Sequence, residues 1–151
     1  MIFGTNNTWG QLTLATNGNV GVGTTTPTQP LELASGAYVS AGGVWTNASS
    51  RTLKAQIAAL SGRRARDVVL RLQPVTFVKA EPTQTHVGFI AEDVPELVAM
   101  ADRRSLSAMD LVAVVTKVVQ DQQAAIAALT ARLAALEAAQ GERSSARRSN
   151  E

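Results

Sequence analysis

The sequence predicts an α+β protein laid out in series. A short β-rich segment comes first, then a small α+β unit with a β-hairpin, then one long C-terminal helix. Three observations predict this. Residues 1–46 are rich in Gly, Thr and Asn, and their apolar residues recur two apart. Residues 47–104 alternate short helix-spaced and strand-spaced runs. From residue 107 onward there is no proline, and bulky apolar residues recur at the heptad spacing of a coiled coil.

The β-rich segment reads "WGQLTLATNGNVGVGTTTPTQPLELAS" over residues 9–35. Leu12 with Leu14, Val20 with Val22, and Leu31 with Leu33 predict three short strands, and "TNGN" at 16–19 predicts a turn between the first two. Strands this short cannot close a core within one chain, so they demand neighbours, most simply identical chains. "GNVGVG" at 18–23 has the wrong glycine order for a nucleotide loop, and "TTTP" follows it instead of a helix.

In the middle region, Leu53, Ile57 and Leu60 stand at i, i+4 and i+7 and predict a short helix that "SG" at 61–62 ends. Val68, Val69 and Leu72 predict a second helix, stopped by Pro74. "VTFVK" at 75–79 and "THVGFIA" at 85–91 predict two strands of a hairpin around a turn at "EPTQ", 81–84. "EDVPELV" at 92–98 predicts a short helical turn.

A long helix is predicted over 107–140. Ser107 and Asp110 make a capping-box pattern at its start. Val112, Val119, Ile126 and Leu133 take the a positions of a heptad register, and Val115, Gln122, Leu129 and Leu136 the d positions. At about 1.5 Å per residue the rod is roughly 40–50 Å long. Alanine fills much of the remaining surface, so the bulky stripe is narrow. Gln122 interrupts it, and a polar core layer tends to fix register and chain number at some cost in stability. Gly141 is expected to end the helix and 141–151 to be a disordered tail. A β-rich piece and a coiled coil that each need partner chains point to a homo-oligomer, with three chains the natural number.

The bulk numbers exclude several functions. Apolar residues are 45% of the 151, but aromatics only 4%, as suits a thin or elongated molecule. A net charge of +2 is too small to indicate nucleic acid. The arginines at 63, 64 and 66 and at 143, 147 and 148 read as a solvated face and a frayed tail. No cysteine is present and His86 is the single histidine, which leaves no disulfide framework, no thiolate metal site and no multi-histidine metal site within one chain. The sequence suggests neither metal nor cofactor. No apolar run reaches membrane-spanning length and no basic-then-apolar signal opens the chain, so the "NAS" sequon at 47–49 is read as coincidence.

"NASSRTLKAQI" at 47–57 raises a different question. Ser50 is the expected N-cap of the helix that follows. Ser49 then lies on extended chain just outside it and can fold back towards Lys54. A serine needs a base to become a nucleophile, and a lysine serves only when neutral. Burial, or the positive end of a helix, favours the neutral amine, and Lys54 is expected in the first helical turn. S-x-x-x-x-K is a common pattern, and taken alone it reads as capping serines beside a solvated lysine. His86 on a strand reads as structural, and Glu92 with Asp93 as acids stabilising the start of a helical turn.

Four stretches resemble one known family in order and at suitable spacing: "NGNVGVGTTTPTQPLEL", "ASSRTLKAQI", "LQPVTFVK" and "HVGFIAEDVPELV". Together with the long helix they cover roughly residues 17–140. They are similar to the intramolecular chaperone auto-processing domain, of endosialidase type, at the C-terminus of phage tailspikes and tail fibres; a related domain occurs in the myelin regulatory factor. The resemblance implies a domain that trimerises, helps the upstream fibre or tailspike segment of the same polypeptide to fold, and then releases itself by autoproteolysis through a serine–lysine dyad. Carried onto this sequence, Ser49 is the nucleophile, Lys54 the base and Ala48–Ser49 the scissile bond. Ser50, His86 and Glu92 are the supporting candidates.

Ser50 stands where the family usually has an aspartate, "LKAQI" replaces the commoner Leu-Lys-Glu-Asn-Ile, and "AEDV" the commoner Ala-Gln-Glu-Val. The resemblance also implies a phage tail fibre or related tail-like particle, made in the bacterial cytoplasm, with no nucleic-acid or membrane partner. The domains follow as a fibre-shaft segment at 1–48, a chaperone and auto-processing core at 49–106, a coiled coil at 107–140 and the tail. Two other readings stand beside this one. A trimeric fibre tip or adaptor that keeps its C-terminal domain is favoured by the 48 residues ahead of the cut, which are little fibre to release. A coiled-coil interaction module fits only the last third.

Overall fold

A computed structural model of the chain describes residues 1–5, 8–79 and 84–148. It divides into two units, Met1–Ala58 and Ala59–Glu151. The architecture is α+β, as the sequence predicts, with a β-rich N-terminal sheet, a hairpin and one long C-terminal helix.

The first unit is a six-stranded sheet in chain order. Its strands are β1 (Ile2–Thr5), β2 (Thr8–Leu14), β3 (Val20–Val22), β4 (Leu31–Leu33), β5 (Tyr38–Val39) and β6 (Trp45–Thr46). Neighbours pair antiparallel except β3 and β4, which are parallel with Val20 opposite Leu31 and Val22 opposite Leu33. The predicted turn after β2 forms at Gly18, whose φ of +87° is open to glycine at no steric cost. The β3–β4 connection is held by Glu32, whose carboxylate accepts from the Thr28 amide at 2.7 Å and the Thr28 hydroxyl at 3.0 Å. These bonds stabilise the anion and lower its pKa, the amide bond most.

Five of the six strands have only two to four residues and cannot enclose much. Ala37 is the one buried hydrophobic among the described residues of this unit, while Ile2, Phe3, Leu12, Leu14, Val22, Val44 and Trp45 stay exposed. The expectation that this segment lacks a core of its own therefore agrees with the structure. β1, β5 and β6 carry no apolar alternation long enough to read from sequence.

The chain next departs from expectation. The predicted helix through Leu53, Ile57 and Leu60 does not form. Only a single 3₁₀ turn, Arg51–Leu53, follows Ser50, and Gln56 takes a φ of +52° that ends any helical path. Leu53 and Ile57 are 63% and 54% exposed, so no apolar face is buried to hold a helix together.

In the second unit "SG" starts a helix rather than ending one. Ser61 caps α1 (Gly62–Arg71), its hydroxyl accepting from the Arg64 amide at 3.3 Å. β7 (Val75–Val78) and β8 (Thr85–Gly88) form the predicted antiparallel hairpin, with Phe77 opposite His86. The predicted turn at 81–84 falls largely outside the described residues. A 3₁₀ turn at Glu96–Val98 supplies the short helical piece expected there.

α2 runs from Ala108 to Arg148. The Ser107 hydroxyl accepts from the Asp110 amide at 3.4 Å, so the serine half of the predicted cap is present. The helix passes through Gly141, where the sequence predicts its end. A glycine inside a helix costs only about 1 kcal/mol relative to alanine, and Glu, Gln, Arg and Ala around it carry the helix onward. The core joins Ala65 and Val68 of α1, Val94 and Val98 of the connecting segment, and Val114 of α2. Leu111 and Val118 pack beside Val114. Thus α2 buries one stripe against its own chain and leaves a different one, Val112, Val115 and Val119, about half exposed.

Candidate active site

The site candidates in the first unit follow directly on β6. The Trp45 indole N–H donates to the Asn47 side-chain oxygen at 2.9 Å, bracing the extended stretch that leads into Ala48, Ser49 and Ser50. Ser50 is the N-cap the sequence predicts, with φ −60° and ψ 147°, its hydroxyl accepting from the Thr52 amide at 3.3 Å and sharing a 2.9 Å bond with the Thr52 hydroxyl. Ser50 is therefore occupied with capping, and Ser49 stays outside the turn.

Lys54 closes that turn as its C-cap, on extended backbone with φ −123°. This corrects the expectation of a lysine in the first turn of a helix. Lys54 follows a three-residue 3₁₀ segment, so no helix N-terminus repels its ammonium. The short turn does something else: it reverses the chain so that the lysine reaches back over the serine. The Lys54 Nζ lies 2.6 Å from the Ser49 Oγ and 3.1 Å from the Ser49 carbonyl oxygen. A protonated amine donates to the hydroxyl at that distance, and a neutral one accepts its proton. Both side chains are exposed in the single chain.

The remaining candidates lie in the second unit. His86 stacks on Phe77 across the hairpin, ring centroids 5.6 Å apart and planes at 24°. The Glu92 main-chain oxygen accepts from the Arg103 guanidinium at 2.6 Å. Arg103, at φ +52°, belongs to a loop that Asp102 ties down through the Arg104 and Ser105 amides and the Ser105 hydroxyl. Those bonds, the Arg104 amide first, lower the Asp102 pKa. His86 thus has a structural partner of its own, and Glu92 is bonded through its main chain.

The proposed coiled-coil positions are exposed along α2: Val112, Val115, Val119, Ile126, Leu129, Leu133 and Leu136 lie between 46% and 64%, and Gln122 is exposed with them. Sequence reasoning did not find the Asp121 carboxylate, which lies against Gly62 at the start of α1 and pairs with Lys117 at 2.8 Å. Nor did it find the Trp45–Asn47 bond. The approach of Asp121 to Gly62 has no sequence signature, because it depends on where α1 and α2 meet; the Trp45–Asn47 bond and the Lys117–Asp121 pair are local contacts, two and four residues apart.

Among the described residues no helix is long and apolar enough to cross a membrane. No curated protein and no solved structure shows significant similarity to the chain. A family model does match, over residues 49–103, beginning at the serine that Lys54 contacts. Its description is the chaperone of endosialidase, a peptidase family, so residues 49–103 are similar to the chaperone family that the sequence resembles.

Proposed function

We propose that this chain is the C-terminal intramolecular chaperone of a trimeric tail fibre or tailspike, and that it releases itself by one self-cleavage at Ala48–Ser49. The observation that carries the reading is the 2.6 Å approach of Lys54 Nζ to Ser49 Oγ at the first residue of the family match. The neutral Lys54 amine takes the Ser49 hydroxyl proton. Oγ bonds to the Ala48 carbonyl carbon, the Ala48–Ser49 C–N bond breaks, and the proton passes to the freed Ser49 amine. Water then hydrolyses the Ala48–Oγ ester, leaving an Ala48 carboxylate and the original serine hydroxyl. The domains would be a shaft segment at 1–48, the auto-processing core at 49–106 and, from 107 onward, the trimer-forming helix, which continues past the expected end at 140 as far as Arg148.

Three features support assembly. The exposed stripe of α2 supplies a seam for like chains, with Gln122 as its polar layer. The exposed apolar residues of the first sheet need cover. The dyad is exposed in the single chain, and neighbouring copies would cover it. Strand pairing between chains is slow and leaves edges open, so a coiled coil that forms first raises the local concentration of the shaft segments. Cleavage after assembly would leave the shaft kinetically trapped. Such a protein belongs to a phage tail or tail-like particle.

Intact mass under denaturing conditions, for this chain and for Ser49→Ala beside it, tests the reading. A fragment beginning at Ser49, absent from the variant, is the expected result. A single uncut mass from a folded trimer would move the assignment to a structural fibre tip or adaptor that keeps this domain. A stable monomer by light scattering would sink both.

A further inference from the structure

The acyl side of the scissile bond has its own support. Gly36 closes the β4–β5 turn, its amide donating to the Leu33 carbonyl at 2.8 Å, while the Leu33 amide donates to the Ala37 carbonyl at 2.8 Å. Its φ of +81° is a conformation natural to glycine. β6 pairs back on β5, Tyr38 opposite Thr46, and this return brings residue 48 onto the turn. A Cβ built on Gly36 would stand 3.0 Å from the Ala48 Cβ, closer than ordinary contact. Upstream, the Trp45–Asn47 bond braces the approach; downstream, Lys54 binds both the carbonyl and the hydroxyl of Ser49. Ala48, itself exposed, thus lies against the turn on the acyl side of the bond, and Ser49 is bonded to Lys54 on the other.

We propose that the Gly36 turn is a specificity subsite for self-cleavage: it seats the Ala48 methyl, admits only a small side chain there, and so aims the Ala48 carbonyl at the Ser49 hydroxyl. This rests on the self-cleavage reading above. Gly36 is a positioning residue and touches no reacting atom. Attack by a side chain on the carbonyl preceding its own residue depends on orientation. A displacement of about 1 Å can cost on the order of a hundredfold in rate.

Gly43 provides a matched control. It also has a positive φ, +77°, in the β5–β6 turn, but a Cβ there would meet nothing within 4 Å. Gly43→Ala therefore shares the backbone strain of Gly36→Ala without the collision. The test is a time course of intact mass for the full chain made by cell-free synthesis, with light scattering to verify assembly.

Gly36→Ala and Ala48→Leu are expected to slow cleavage by about tenfold or more, and Gly43→Ala by no more than about twofold. The double variant Gly36→Ala/Ala48→Gly, which removes the colliding methyl, is expected to recover to within about threefold of Ala48→Gly alone. Equal slowing by Gly36→Ala and Gly43→Ala, or a double variant no faster than Gly36→Ala, overturns the subsite. If the Gly36 variants fail to assemble, Ala48→Leu against Ala48→Gly on the unaltered turn decides: equal rates overturn the proposal. An uncut parent chain removes the self-cleavage reading and the subsite with it, whereas a cut parent with any of these patterns removes the subsite alone.

Discussion

Gly62→Ala should destabilise the second unit, although alanine is the better helix former. Gly62 is the first residue of α1, and a Cβ there would overlap the Asp121 carboxylate of α2. That carboxylate is not free to swing away at no cost. It is 28% exposed and bonded to Lys117 at 2.8 Å. Forcing atoms into such a contact typically costs about 1–3 kcal/mol. The gain in helix propensity offsets at most about 1 kcal/mol. The expected net loss is about 1–2 kcal/mol, read as a lower urea midpoint at unchanged slope and fixed protomer concentration. Gly62→Ala combined with Asp121→Ala should lose less than the sum of the two single variants, because the second change removes the obstacle to the first. A Gly62→Ala protein as stable as the parent, or a strictly additive pair, would refute the contact as the reason for glycine.

Val98→Ala removes two methyl groups at a fully buried position where α1 and α2 share a core; it should cost about 2 kcal/mol in denaturant unfolding, the transfer of two methyls plus the cavity left behind. Glu32→Gln should weaken the β3–β4 connection in a pH-dependent way. Because the Thr28 amide, then its hydroxyl, depress the folded pKa, the stabilisation is fully present above the ordinary glutamate value of 4.5 and is lost as pH falls through the lowered folded value. The melting temperatures of parent and variant should therefore differ at pH 7 and converge as pH drops below that window; a constant difference would show that the carboxylate charge is not what Thr28 holds.

Sequence periodicity by itself determined the strands at Leu12–Leu14, Val20–Val22 and Leu31–Leu33, the 75–88 hairpin, a helix through Val68 and the long C-terminal helix. These are local: the spacing of apolar residues matches the period of the element that buries or aligns them. The sequence also paired Ser49 with Lys54 and made Ser50 the cap. What it misread was the carrier. Leu53, Ile57 and Leu60 have helical spacing, yet a helix needs something to bury its apolar face against, and the first unit offers nothing there. A single turn after Ser50 remained, and it was this turn, not a helix dipole, that folded the lysine over the serine. The same limit applies to α2. Its valines lie so densely that one pattern holds two stripes, and only the packing of α1 onto Leu111, Val114 and Val118 shows which belongs to this chain's core. Glycines at 36 and 62 read as ordinary punctuation until tertiary structure set Ala48 and Asp121 against them. Periodicity specifies an element; the space left between two elements belongs to neither sequence, and only the fold fixes it.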